Sequence, residues 1–173
     1  MTQFRPSRKL WQKIIYICIY IDFFAHMEEI DLCWRMKNLG YRIFSCPQSE
    51  VYHMGGQTLS YDNPKKLYLN SRNNLAMLTK NWPLWALIFK LPIRFVMDWT
   101  GALYFLSTRG FPSFKAILKG QWDYLKSLKL WLSKRSKTNR KSTSRQKGFY
   151  RGSIVFAHFV RKVNTFSKLS RVA

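Results

Sequence analysis

The alternation of apolar and polar positions divides this chain into short elements. Ile30, Cys33 and Trp34 fall at i, i+3, i+4, and Leu32, Met36 and Leu39 at i, i+4, i+7, so a helix with a wide apolar face is predicted just after residue 28. Gly40 stands where a left-handed residue stops such a helix, with Tyr41 as the apolar residue beyond it. Tyr41 to Ser45 is rich in strand formers and ends at Cys46-Pro47, and Glu50 to His53 reads as a second extended piece broken by Gly55-Gly56. Asn63-Pro64 opens a second helix, expected to run to about Lys80 on Leu67, Leu75 and Leu78.

Either side of this region the pattern changes. Residues 1–13 are basic and irregular, and Ile14 to Tyr20 is an apolar run that suits a buried strand. That start imitates a signal peptide, but no small-residue cleavage site follows and the run is too short to span a bilayer. From Trp82 to Thr108 aromatic and aliphatic residues dominate, interrupted by Pro83, Lys90, Pro92, Arg94 and Asp98. Two short amphipathic helices in a membrane interface fit this stretch, and an ordinary apolar docking face is the other reading. Lys115 to Leu132 is expected to be one more amphipathic helix, with Trp122, Leu125, Leu128 and Leu132 on its apolar side.

Charge sharpens the picture. The 173 residues carry a formal net charge of +22, and Phe-, Trp- and Leu-rich segments raise the apolar share to 47%. Residues 109–173 hold seventeen Lys and Arg against Asp123 alone, and Lys134 to Lys147 has seven basic residues in fourteen, a solvated and partly disordered tail. A polybasic run beside a Trp-rich amphipathic region is the two-signal pattern of peripheral membrane attachment, with nucleic acid the second choice of partner. Cys18, Cys33 and Cys46 lack metal-ligand or disulfide spacing, and Cys33 and Cys46 read as packing residues in a reducing compartment.

Against this basic background, Glu28, Glu29 and Asp31 place three carboxylates in four positions at a helix start. There they complement the helix dipole and the unpaired N–H groups. Alternatively, one of them accepts a proton at the mouth of a cleft.

Phe23-Phe24-x-x-Met27-Glu28-Glu29-x-Asp31-Leu32-Cys33-x-Arg35 followed by Gly40-Tyr41 resembles the acceptor-side motif of family-2 glycosyltransferases. Pro47 and Val51 to Gly56 resemble that family's strand and His-x-Gly-Gly turn, and Arg72-Asn73-Asn74 with Lys80-Asn81-Trp82-Pro83 its post-catalytic helix. The resemblance covers residues 21–83. It implies an α/β fragment, the acceptor-side half of an A-type nucleotide-sugar fold, followed by amphipathic helices and the basic tail. The expected divisions are a lead-in at 1–20, the carboxyl-terminal part of a catalytic domain at 21–81, interface helices at 82–132 and the tail at 133–173.

By the same resemblance, Glu29 is the base that takes the acceptor's proton, Glu28 its partner and Asp31 the next acidic position. His53 is expected near the diphosphate or the metal, and Arg72 at the diphosphate. The implied activity moves a sugar, with inversion, from a nucleotide-sugar donor to a glycan or lipid-linked acceptor of the cell envelope. A divalent cation, Mg²⁺ or Mn²⁺, is implied with it. No Asp-x-Asp motif occurs in the sequence, so the donor half is expected on a separate amino-terminal partner, and the chain reads as a truncated, cytoplasmic, membrane-peripheral protein. The alternative is a non-catalytic basic module that binds membrane or nucleic acid.

Overall fold

A computed structural model describes residues 21–38, 40–44, 46, 48, 50, 63–135, 150, 152–165 and 168–169. It divides into two units, Met1–Arg140 and Lys141–Ala173. The first unit contains a 3-10 turn at Ile21–Phe23 and helices α1 (Glu28–Asn38), α2 (Pro64–Asn81), α3 (Leu84–Arg109), α4 (Phe111–Lys126) and α5 (Leu128–Ser133). The second contains the short helix α6, Ile154–Phe159, capped by the Ser153 hydroxyl.

No strand occurs among the described residues, and this overturns the α/β expectation: the described chain is helical and is not a piece of an A-type sheet. The physical reason is pairing. A strand is held by ladder hydrogen bonds to a neighbour, and residues 41–44, although rich in strand formers, are irregular and exposed with no partner strand among the described residues. The extended segments expected at 14–20 and at Val51 to His53 lie outside the described residues.

The helix stops follow local chemistry. Gly40 has φ +90°, its N–H bonds to the Lys37 carbonyl at 3.0 Å, and the Tyr41 N–H bonds to the Met36 carbonyl at 3.0 Å. These two bonds form a Schellman motif, which satisfies the Met36 and Lys37 carbonyls in the last turn of α1. The Asn63 side chain caps α2 by accepting the Lys65 N–H at 2.9 Å, with Pro64 in the first turn where no donor is needed.

Two expectations about the later helices are corrected. Residues 84–109 form one helix of 26 residues rather than two short ones, with Pro92 inside it. Proline lacks one N–H donor, and the rest of the helix holds through it. Residues 111–133 are two helices, broken at Ser127. Their apolar side is only partly the expected one: Leu128 packs against the core, but Trp122, Leu125 and Leu132 are exposed, while Ile117, Gly120, Tyr124 and Trp131 are buried.

The core lies where α2 crosses α4 and α5. Leu75, Ala76, Met77 and Leu78 of α2 pack with Phe23, Tyr124 and Trp131, and Leu91 and Phe95 of α3 close one side. Phe23 stacks on Trp131 with ring centroids 6.0 Å apart. Two hydroxyls in this core are matched: the Tyr124 hydroxyl meets Thr79 Oγ1 at 2.6 Å, and Thr79 Oγ1 donates to the Leu75 carbonyl.

Small residues set the spacing between α2 and α4. A Cβ on Gly120 would lie 2.7 Å from the Tyr68 carbonyl oxygen and 3.1 Å from Ser71 Cβ, so only glycine allows this approach. Ser71 donates to the Ile117 carbonyl across the same contact, and Tyr68 donates to Asp123 at its edge. Gly120→Val forces backbone apart against backbone and is expected to cost about 2 kcal/mol. Urea unfolding followed by circular dichroism reads this as a lower midpoint at unchanged slope.

Candidate functional site

The site is built where α1 begins. Helix α1 buries Asp31, Arg35 and Asn38, while Ile30 and Cys33 face solvent, so the buried stripe is polar and the expected apolar face is only partly used, through Trp34. Cys46 is exposed as well. The packing role expected for both cysteines is therefore not what the structure shows.

The partner of this polar stripe is the end of α2. Asp31 is fully buried, and its Oδ2 accepts from Arg35 Nε at 2.8 Å and from Lys80 Nζ at 2.8 Å. Its Oδ1 accepts from Asn81 Nδ2 at 2.7 Å, and the same amide also donates to the Met77 carbonyl. A buried carboxylate is tolerated only when its lone pairs are met by charge and hydrogen bonds. Here three donors meet them. The Lys80 ammonium also lies 4.7 Å from the centre of the Phe23 ring, a cation–π contact.

Immediately before α1 the backbone is strained. Phe24, His26 and Met27 have φ of 62°, 68° and 71°, the left-handed region that a side chain disfavours. Each costs on the order of 1 kcal/mol, so such a loop persists only if its surroundings hold it. Two neighbouring side chains of α2 do so. The Asn73 amide donates to the carbonyls of Phe23, Ala25 and His26 at 2.8, 2.7 and 3.0 Å. Arg72 Nη2 donates to the Asp22 carbonyl at 2.9 Å and approaches that of Phe23, while its Nε donates to Asn73 Oδ1. Lys134 pairs with the Asp22 carboxylate, and Arg135 donates to the Thr79 and Trp82 carbonyls at the end of α2.

The residues singled out from the sequence thus separate into different environments. Glu29 is exposed on the first turn of α1. Glu28 is half-buried, and its Oε2 is one of three buried polar atoms on or against the strained loop without a hydrogen-bond partner among the described residues, with His26 Nε2 and Asn74 Oδ1. Asp31 is committed to Arg35, Lys80 and Asn81, and Arg72 to backbone carbonyls. His53 lies outside the described residues.

The implied divalent cation does not fit the described residues. Among them no group of three His, Cys, Asp or Glu side chains could hold a metal ion, and the best-placed buried carboxylate, Asp31, already binds two cationic side chains.

Sequence reasoning named Lys80, Asn81, Asn73 and His26 only as motif letters or left them unassigned. The available signal was the pair Asp31 and Arg35, one helical turn apart, which reads as an ion pair. No pattern within one helix shows that a lysine 49 residues later completes it.

No family model, curated protein or solved structure matches this chain.

Burial lowers the Lys80 pKa to about 8, with Asp31 opposing the shift. Between about pH 8 and 10.5 the unfolded chain keeps a proton that the folded chain has lost, so this group's contribution to stability rises with pH across that window. Lys80→Met removes the titration and keeps the stem. The stability difference, wild type minus variant, is expected to grow by on the order of 2 kcal/mol from pH 8 to 10. Urea midpoints at each pH measure it, and a flat difference contradicts the assignment.

Proposed function

We propose that this chain supplies the acceptor-side carboxylates of a glycosyltransferase, with Glu29 as the general base for a sugar hydroxyl and the nucleotide sugar held outside the described residues. The reading rests on the motif around Glu28 and Glu29 and not on a sheet. One observation carries it: an exposed carboxylate follows a strained loop that α2 holds in place, and buried polar atoms beside it have no hydrogen-bond partner among the described residues. Strain maintained by neighbouring side chains, with unpaired polar groups, marks sites where a polar ligand is received.

In this mechanism Glu29 removes the proton as the acceptor oxygen attacks the anomeric carbon, and the glycosidic bond to the diphosphate breaks on the opposite face. The exposed position of Glu29 leaves it reachable. Glu28, His26 and Asn74 orient the acceptor through its other hydroxyls. Asp31 and Arg72 act on the scaffold, by fixing α1 and the loop to α2. A glycan or lipid-linked acceptor of the cell envelope matches this reading, which places the protein at the inner face of the cell membrane. No helix among the described residues is long and apolar enough to cross a membrane, and a peripheral attachment accords with that.

A second reading, a basic module without catalysis that binds a membrane surface, is favoured by one feature: α3 exposes a row of large apolar side chains.

The protein together with its donor-binding partner, incubated with labelled nucleotide sugars and envelope glycan or lipid-linked acceptors, tests the first reading. Glu29→Gln keeps the shape and removes the proton acceptor, so transfer is expected to fall by roughly 10²-fold or more with the melting curve unchanged. Turnover equal to wild type removes Glu29 from the mechanism.

A further inference from the structure

Helix α3 is apolar on two opposite sides. One side, with Leu87, Leu91, Phe95 and Ala102, faces the core and its neighbours. The other carries Trp85, Phe89, Ile93, Val96, Leu103 and Tyr104, each between 57% and 69% exposed. From Trp85 to Val96 these residues recur at three- and four-residue intervals, and after a wider step across Thr100 the adjacent Leu103 and Tyr104 continue the same side, so that they form one stripe about 28 Å long at 1.5 Å per residue. A stripe of this extent exceeds the scattered apolar residues of an ordinary surface and marks an interaction face.

Its charges identify the occupant. The four charged residues of α3, Lys90, Arg94, Asp98 and Arg109, all project from the half of the helix away from the stripe at 100° per residue. Two of them, Arg94 and Asp98, pair with each other at 2.7 Å. Beside the stripe, α4 exposes Lys115 and Lys126 on the same outer side as Trp122, with Lys119 between them paired to Asp123. The two faces are continuous, because Trp99 and Leu103 of α3 line an open apolar groove of about 280 Å³ with Phe114 and Leu118 of α4. A charge-free apolar band edged by indole rings and lysines matches a bilayer interface, where rings sit at headgroup depth and ammonium groups reach lipid phosphates.

We infer that the outer face of α3 lies flat in the interface of an anionic lipid bilayer, with Lys115 and Lys126 of α4 on the lipid phosphates. This rests on the peripheral location proposed above and assigns the face and the lipid class. It is independent of glycosyl transfer.

The test uses the full chain and vesicles of phosphatidylcholine with and without phosphatidylglycerol. Co-sedimentation reads binding, a blue shift of tryptophan emission reads insertion, and circular dichroism confirms that each variant keeps its helices. The chain is expected to bind vesicles that contain phosphatidylglycerol, and Phe89→Ser with Ile93→Ser to weaken binding roughly tenfold or more. Lys115→Glu with Lys126→Glu is expected to weaken it on these vesicles, most at low salt. Binding by the Phe89/Ile93 variant equal to wild type overturns the assignment of the face and leaves a peripheral location carried by the basic tail. A folded chain that ignores both kinds of vesicle overturns the lipid partner and the location together. A chain that instead self-associates until Phe89 and Ile93 are replaced makes this face a contact between copies.

Discussion

One buried carboxylate holds the described first unit to its plan. Asp31 lies in α1, and two of its three donors, Lys80 and Asn81, end α2. Helix α1 is only 11 residues long and presents a polar stripe inward. An isolated helix of that length is marginal in water, so its position depends on what it meets. Trp34 packs against the core, and the ionic contact supplies the specific register. Replacing a buried ion pair with apolar residues is often neutral, but removing one member leaves an uncompensated charge. Arg35 and Lys80 would both lose the Asp31 carboxylate.

The strained loop before α1 follows from this anchor. With α1 fixed at Asp31 and the chain entering through Phe23, which stacks on Trp131, the residues between have to turn sharply. Three of them take the left-handed conformation. Asn73 and Arg72 neutralise the cost by meeting the carbonyls that the turn exposes. The same α2 helix therefore holds the loop near its middle and α1 near its end. Glu28 and Glu29 take their place from both.

How much of this was legible in the sequence differs by element. The bounds of α2 were readable to within a residue because Asn63 and Pro64 act locally, and Gly40 ended α1 for the same reason. The strand expected from Tyr41 onward was not found, since strand formers need a partner that propensity does not supply. In α1 the periodic template counted Ile30 and Cys33 as inward and missed Asp31, Arg35 and Asn38. Apolar periodicity cannot register a polar stripe whose partners lie 49 and 50 residues away. The close contact at Gly120 was equally invisible, because a lone helical glycine carries no sign of what faces it. Of the candidate site, the carboxylates were visible as a cluster, but their division into an exposed Glu29 and a saturated Asp31 required the fold.

The most direct measurement is the unfolding free energy of Asp31→Ala against wild type at neutral pH, with Glu29→Gln as the control. Loss of the carboxylate leaves buried cationic groups without their partner, so Asp31→Ala should lose about 3–5 kcal/mol, while the control stays within about 0.5 kcal/mol, as surface substitutions do. Equal stability for Asp31→Ala and wild type would contradict the account, and Asp31 would then be free for another role.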